Sequence, residues 1–165
     1  MKLNRRHLYS YMRPAVAALA LIGGAAFGQE AAVEAIPKHA LMETAALAKA
    51  IQGGHAPIVI AVPFAVLYRA KHILHAVDGG VGSRPEGIEK LKAAVAHLAK
   101  DADIVVYCGC CPMDKCPNVR PAFRALKQMG FTQVRVLNIP TNMHTDWYTK
   151  DYPTEAASAA TATPR

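Results

Sequence analysis

Short, continuous apolar runs alternate with amphipathic segments along most of this chain. Continuous runs of this length predict strands that are buried on both faces of a sheet. They lie at 57–62, 103–107 and 134–137. Segments with one apolar stripe at helical spacing predict helices, which begin near residues 41, 84 and 119. Because strands and helices alternate, we predict an α/β domain with a central parallel sheet flanked by helices.

Capping residues and glycines predict where the helices begin and end. The first helix is expected over 41–51. Ser83 and Glu86 precede an apolar stripe in the pattern of a capping box, in which the serine accepts from the first turn and the glutamate reaches back. Asn118 is the predicted N-cap of the third helix, and Gly130 ends that helix.

The first 28 residues predict an export signal. They start with basic side chains and carry no acidic one, and the segment from Pro14 to Phe27 is uncharged and rich in Ala and Leu. Small residues at Ala26 and Gly28 favour cleavage before Gln29. The apolar run is shorter than the roughly 20 residues of a membrane span, so we expect no stable membrane anchor after cleavage.

Two export routes remain open at this point. Arg5-Arg6 is typical of the twin-arginine route, and the general secretory route is the alternative. Either route predicts a periplasmic or secreted bacterial protein. Such a protein works in an oxidising compartment, where free cysteines are exposed to oxidation.

Composition and charge narrow the class of protein. The chain has 165 residues, of which 52% are hydrophobic and 7% aromatic, and this excludes a disordered or collagen-like chain. Four of the seven net positive charges lie in residues 1–28, which leaves a net charge of +3 for the rest. No basic stripe is interleaved with aromatics, so nucleic acid is not an expected partner.

Four cysteines lie within nine residues, from Cys108 to Cys116, and this cluster predicts local sulfur or metal chemistry. Cys108 directly follows a predicted buried strand, at the strand end where parallel α/β sheets place their sites. Backbone N–H groups and the positive end of the next helix are expected to lower the pKa of this thiol. Lys115 and Arg120 add positive charge that would attract an anionic substrate.

An ordered set of segments resembles the rhodanese-like (sulfurtransferase) family. Residues 105–108, Val-Val-Tyr-Cys, resemble its strand that ends in the catalytic cysteine, and residues 72–76 resemble its His-Ile-Pro-Gly-Ala segment. Trp147 and the pair at 152–153 resemble its closing Trp and Gly-Tyr-Pro. The chain departs from the family where Met113 stands in place of a loop arginine, and its cysteine loop is longer than is usual.

The resemblance implies a three-layer rhodanese-like fold and a sulfur-transfer reaction. The Cys108 thiolate would attack the sulfane sulfur of a small anionic donor such as thiosulfate, and a persulfide would form. A thiol or cyanide would then accept the sulfur. This reaction requires no metal and no organic cofactor. The other expected active-site loop and substrate-binding residues are Gly109, Cys110, Cys111, Met113, Lys115, Cys116 and Arg120.

We therefore expect an export signal at 1–28, a flexible entry segment at 29–38, a rhodanese-like domain at 39–153 and a disordered tail at 154–165. The three cysteines after Cys108 have three open interpretations. They would resolve the persulfide or form a protective disulfide, bind a soft metal together with Cys108, or form an inert loop.

Two other functions also remain open. One is a non-catalytic rhodanese-fold module that binds a soft metal or a partner through the loop from Cys108 to Cys116. The other is a periplasmic thiol–disulfide protein, in which Cys108 forms a redox couple with Cys111 or Cys116. The sequence identifies no protein partner.

Overall fold

The computed structural model of the chain describes residues 35–157. The predicted export signal lies outside the described residues, as do residues 29–34 of the expected entry segment and residues 158–165 of the expected tail. Within the described part, no helix has the length and apolar character that a membrane crossing requires.

Five parallel strands form the central sheet, in the order β1-β6-β5-β2-β4. A second, two-stranded sheet pairs β3 with β7 in antiparallel fashion. In chain order the elements are β1 (Leu41–Glu43), α1 (Thr44–Gln52), β2 (Ile58–Ala61), α2 (Ala65–Ala70), β3 (His72–Ile73), β4 (Val77–Asp78), α3 (Pro85–Val95), β5 (Ile104–Tyr107), α4 (Val119–Gln128), β6 (Val134–Asn138), α5 (Met143–Asp146) and β7 (Thr154–Glu155).

The strand β5 lies at the centre of the sheet, and all four of its residues are buried. Val106 pairs with Ile60 of β2 on one side and with Val136 of β6 on the other. Side chains alternate between the two faces of a strand. Val106 therefore packs in one hydrophobic cluster, whereas Val105 packs in the other.

These two hydrophobic clusters define three layers. On one face, α3 and α4 cover the sheet, with Leu91 and Leu126 fully buried against it. On the other face, α1 contributes Leu47, and Trp147 packs beside it after α5. The structure thus confirms the predicted α/β fold with a parallel sheet between helices.

The helix predicted over 41–51 is wrong at its first three residues. Leu41–Glu43 form β1, which pairs in parallel with β6, and the helix begins at Thr44. An apolar residue at position 41 fits either element. The pairing of Leu41 with Val136, which lies far along the chain, decides in favour of the strand.

The predicted capping box is also wrong. The helix α3 begins at Pro85 with Arg84 in the N-cap position, and no side chain of the described residues caps it. Proline is well suited to the first position of a helix because the backbone N–H it lacks would have no partner there. The backbone N–H of Ser83 instead donates to the Asn118 side chain, 3.1 Å away, which ties the start of α3 to the start of α4.

The predicted disordered tail begins too early. Thr154–Glu155 form β7, which pairs with β3, and the Glu155 carboxylate accepts from the backbone N–H of His75 at 2.7 Å. The described end of the entry segment also contacts the domain, since Ile36 packs against the core. The folded domain is therefore longer at both ends than the predicted range of 39–153.

Candidate active site

Cys108 directly follows β5 at the carboxyl end of the sheet and is 3% exposed. The loop from Cys108 to α4 includes one 3₁₀ turn, Met113–Lys115. A hydrogen bond from the Met113 N–H to the Ile139 carbonyl, 2.8 Å long, ties this loop to the segment after β6. The loop is therefore anchored at its middle as well as at its two ends.

Gly109 shapes the start of this loop. Its φ of 81° lies in the left-handed region, which glycine adopts without steric cost. A Cβ atom at this position would collide with the Met143 side chain. The Gly109 carbonyl accepts from the Met143 N–H at 3.0 Å. Only glycine allows this close approach between the cysteine loop and α5.

The four cysteines converge into one thiol cluster. All four lie within the described residues and are free thiols. The Cys108 and Cys110 sulfurs are 3.2 Å apart, and the Cys110 and Cys111 sulfurs are 3.3 Å apart. The sulfurs of Cys108, Cys110 and Cys116 all lie within 4.8 Å of one another. The sequence clustering thus corresponds to a spatial cluster around Cys108.

The helix start acts on Cys116 rather than on Cys108. A hydrogen bond from the Cys108 thiol, together with the backbone N–H groups of Asn118 and Val119, lowers the pKa of Cys116 to about 6. Cys116 is 1% exposed, so these donors rather than water stabilise its thiolate. The sequence pattern predicts this effect on Cys108 instead, and that prediction is wrong. The length of the loop brings Cys116, and not Cys108, next to the first N–H groups of α4.

The pKa of Cys108 is raised, first by the hydrogen bond it shares with Cys116 and then by burial. The Asn118 amide and the backbone N–H of Cys110 act in the opposite direction. The two thiols therefore shift each other's pKa in opposite directions, so that Cys116 loses its proton more readily and Cys108 less readily.

Asn118 is a functional candidate that the sequence analysis missed. It occupies the N-cap position of α4, but its side chain caps no backbone group of the described residues. It is fully buried, and its amide nitrogen donates to the Cys108 sulfur at 3.3 Å while its oxygen accepts from the Ser83 N–H. Because asparagine is a common N-cap residue, the sequence pattern predicts only a capping role for Asn118.

A cavity of about 280 Å³ opens beside the thiol cluster. All four cysteines lie within the described residues. Cys108 and Cys110 line this cavity, whereas Cys111 and Cys116 do not. Lys71 also lines it, and its ammonium lies 4.7 Å from the centre of the Tyr148 ring. The cavity thus offers a small anion one positive charge near an accessible cysteine.

Three expected loop residues lie outside this cavity. Met113 packs against the hydrophobic core and Lys115 is exposed. Arg120 lines a different cavity of about 700 Å³, beside Arg124, and its Nε atom is buried without a hydrogen-bond partner among the described residues. Arg120, an expected substrate-binding residue, therefore does not line the cavity beside Cys108.

The thiol cluster also contains the donors that a soft metal would need. Cys108, Cys110 and Cys116 offer three sulfur atoms within mutual reach, and thiolates select ions such as Cu(I) and Zn²⁺. These are the same sulfurs that a sulfur-transfer reaction would use. Metal binding here would therefore compete with chemistry at Cys108.

The described residues thus form an α/β domain with a parallel sheet, and a buried, cavity-lining cysteine directly follows the central strand of that sheet. Comparison with solved structures identifies the fold. The solution structure of the rhodanese-like domain of the Alr3790 protein from Anabaena sp. matches with a TM-score of 0.53 and 21% identity, over 76% of this chain and 85% of that one. A crystal structure of the Alr3790 protein matches with a TM-score of 0.55 and 20% identity, over 72% of this chain and 95% of that one.

The chain therefore has the rhodanese-like fold, as its sequence resemblance predicts. No protein-family sequence model matches the chain. No curated protein matches its sequence either.

Proposed function

We propose that this protein is a sulfurtransferase that moves a sulfane sulfur from a small anionic donor such as thiosulfate, through a persulfide on Cys108, to a thiol or cyanide acceptor. The observation that carries the proposal is the position of Cys108. It ends the central strand, lines the cavity that holds Lys71, and contacts the Asn118 amide at 3.3 Å. The rhodanese-like fold supports the same reaction class.

The first half-reaction begins with transfer of the Cys108 proton to Cys116. As the donor enters, the Cys116 thiolate takes the proton of Cys108, and the Cys108 sulfur attacks the sulfane sulfur. A new sulfur–sulfur bond forms on Cys108, the bond within thiosulfate breaks, and sulfite leaves with the electron pair. The local cation, Lys71, favours approach of the anionic donor.

The second half-reaction transfers the outer sulfur. The Asn118 amide and the Cys110 backbone N–H, which both contact the Cys108 sulfur, stabilise negative charge there. An acceptor thiolate or cyanide attacks the outer sulfur from the cavity, and Cys108 leaves as the thiolate. The thiolate then regains its proton from Cys116, so the pair returns to its starting state.

We also propose that the protein works after export, in the periplasm or outside the cell. The basic start and the uncharged run of residues 14–27 support this location. Fractionation of the native host, with the N-terminus of the mature protein sequenced, tests it. A cytoplasmic protein that retains residues 1–28 would contradict the proposal.

Intact-protein mass spectrometry tests the reaction. The reduced mature domain is exposed briefly to thiosulfate, and we expect the mass of one added sulfur, mapped to Cys108 and removed by cyanide as thiocyanate. Cys108→Ser should abolish the adduct, whereas the matched control Cys111→Ser, which changes a cysteine outside the cavity, should retain it. Free thiols without any adduct would overturn the proposal.

A further inference from the structure

We propose that Cys116 is a second catalytic residue, which attacks the Cys108 persulfide and releases its outer sulfur as hydrogen sulfide, leaving a Cys108–Cys116 disulfide. This inference rests on the proposed persulfide on Cys108. It adds a product, sulfide, and a second substrate class, a thiol or dithiol reductant.

Cys108 and Cys116 differ in their access to the cavity. Cys108 lines the cavity, so the outer sulfur of its persulfide would occupy the cavity. Cys116 is 1% exposed, lies in the same hydrophobic core cluster as Cys108 with its sulfur within 4.8 Å of the Cys108 sulfur, and does not line that cavity among the described residues. A thiolate breaks a sulfur–sulfur bond by attack on one of its two sulfurs. The placement fits attack by Cys116 at the inner sulfur, with departure of the outer one into the cavity.

Cys116 is also the cysteine best supplied with donors for a thiolate. The backbone N–H groups of Asn118 and Val119 both donate to its sulfur. These donors belong to the first turn of α4, whose partial positive charge favours an anion. They remain in place when Cys108 carries the persulfide, so they again stabilise a Cys116 thiolate once the proton that Cys116 took from Cys108 passes to the outer sulfur.

The step balances in atoms and electrons. The Cys116 thiolate forms a bond to the Cys108 sulfur, and the bond between that sulfur and the outer sulfur breaks. The outer sulfur leaves as HS⁻, with the electron pair of the broken bond and with the proton that Cys116 had taken from Cys108. Two cysteine sulfurs are oxidised to a disulfide while the sulfane sulfur is reduced to sulfide. An external thiol or dithiol then reduces the disulfide, so each turnover converts thiosulfate and two thiols into sulfite, sulfide and a disulfide.

The position of Cys110 predicts a different outcome for that residue. Its sulfur lies 3.2 Å from that of Cys108, and it lines the cavity and is exposed. From this side Cys110 would meet the outer sulfur and accept it, which moves the persulfide without releasing sulfide. Sulfide release in a single turnover therefore distinguishes attack by Cys116 from attack by Cys110.

The test is a single turnover without added reductant. Reduced protein reacts with one equivalent of thiosulfate, is quenched with iodoacetamide, and is analysed by peptide mapping, while sulfide is trapped with monobromobimane. The wild type and the control Cys111→Ser, which changes a cysteine outside the cavity, should give a Cys108–Cys116 disulfide and about one equivalent of sulfide. Cys110→Ser removes the competing acceptor and should give no less sulfide than the wild type. Cys116→Ser should keep a persulfide on Cys108 and release less than a tenth as much sulfide.

Because Cys116 also takes the proton of Cys108, its variant is loaded at a pH well above the usual thiol pKa of about 8.5, since burial still raises the pKa of Cys108 in that variant. A thermal melt confirms that the variant is folded. A wild type that keeps its persulfide and releases no sulfide would overturn this inference while leaving the proposed function intact. Equal sulfide release by Cys116→Ser would also overturn it. Absence of a persulfide in every folded variant would overturn the proposed function, and this inference with it.

Discussion

The amide of Asn118 donates a hydrogen bond to the Cys108 sulfur, and leucine replaces this side chain at similar volume. Asn118→Leu removes the donor 3.3 Å from the Cys108 sulfur and the acceptor 3.1 Å from the Ser83 N–H. Asn118→Asp keeps the acceptor for Ser83 but sets a carboxylate beside Cys108. The two variants therefore separate loss of the donor from loss of the tie between α3 and α4.

The expected loss of rate in Asn118→Leu follows from the negative charge that the Cys108 sulfur carries when it accepts the Asn118 hydrogen bond. A hydrogen bond to a charged group contributes about 1.5–3 kcal/mol, which corresponds to a rate change of about 10- to 150-fold. Asn118→Leu should therefore slow persulfide formation on Cys108 by about that factor. Asn118→Asp should slow it at least as much, because its carboxylate repels the sulfur anion. Leucine also leaves polar partners of a fully buried site unsatisfied, so the free energy of unfolding should fall by about 1–3 kcal/mol.

The assay is the rate constant for persulfide formation, measured by quenched-flow mass spectrometry at pH 7 with saturating thiosulfate. Urea unfolding of each variant establishes the folded fraction. Ser83→Ala is the matched control, since only the backbone of Ser83 contacts Asn118. A folded Asn118→Leu that reacts within about 3-fold of the wild type, below the smallest change expected for a charged hydrogen bond, would refute the role of the amide.

Four further predictions concern pH, the loop, the cavity and the core. Alkylation of Cys108, followed by iodoacetamide mass spectrometry, should rise with pH through a midpoint near 6, where Cys116 ionises and can take the Cys108 proton. Cys116→Ser should move this midpoint above the usual thiol value of about 8.5, because burial still raises the pKa of Cys108. Gly109→Ala should lower the free energy of urea unfolding by about 2–4 kcal/mol, because the added Cβ would collide with Met143. Gly130 also has a positive φ, 88°, but open space around it, so Gly130→Ala should lower the free energy of unfolding by only about 1–2 kcal/mol. Lys71→Gln should lower kcat/KM for thiosulfate by about 2- to 5-fold in low salt and less in high salt, since its charge is exposed. Trp147→Ala should cost about 3–5 kcal/mol in the same urea assay, because a fully buried indole is removed.

The local pattern of apolar residues is sufficient to predict the strands that are buried on both faces of the sheet. The run before Cys108 is β5, and every residue of that strand is buried, so hydrophobicity alone located it. The same information did not separate β1 from a helix, because Leu41–Glu43 is an edge strand defined by its pairing with β6. The short strand β7 was missed for a similar reason. Its partner β3 lies far away in the chain, and its own residues are polar.

The candidate site shows the same division between local and long-range information. Clustering in sequence predicted that the cysteines lie together, and the 4.8 Å limit on three of their sulfurs agrees with this. The path of the loop decides which thiol lies next to the start of α4, and the hydrogen bond between Met113 and Ile139 anchors that path. The spacing of the cysteines in the sequence does not determine the path. The buried orientations of Asn118 and Arg120 likewise depend on packing between α4 and the rest of the domain.

In the proposed reaction, the enlarged loop changes which groups control the sulfur once it has reached Cys108. In this chain no loop side chain with a fixed positive charge lines the cavity among the described residues; the anion is stabilised by Asn118 and by backbone N–H groups. The added loop residues carry thiols instead. Cys110 meets the cavity side of Cys108 and Cys116 meets its buried side, so the outer sulfur can be taken over or expelled by the protein itself. A single-cysteine site depends on an external acceptor for this choice. Here the relative rates of attack by Cys110 and by Cys116 would decide whether the outer sulfur is transferred within the protein or released as sulfide. The donors that stabilise a Cys116 thiolate favour release.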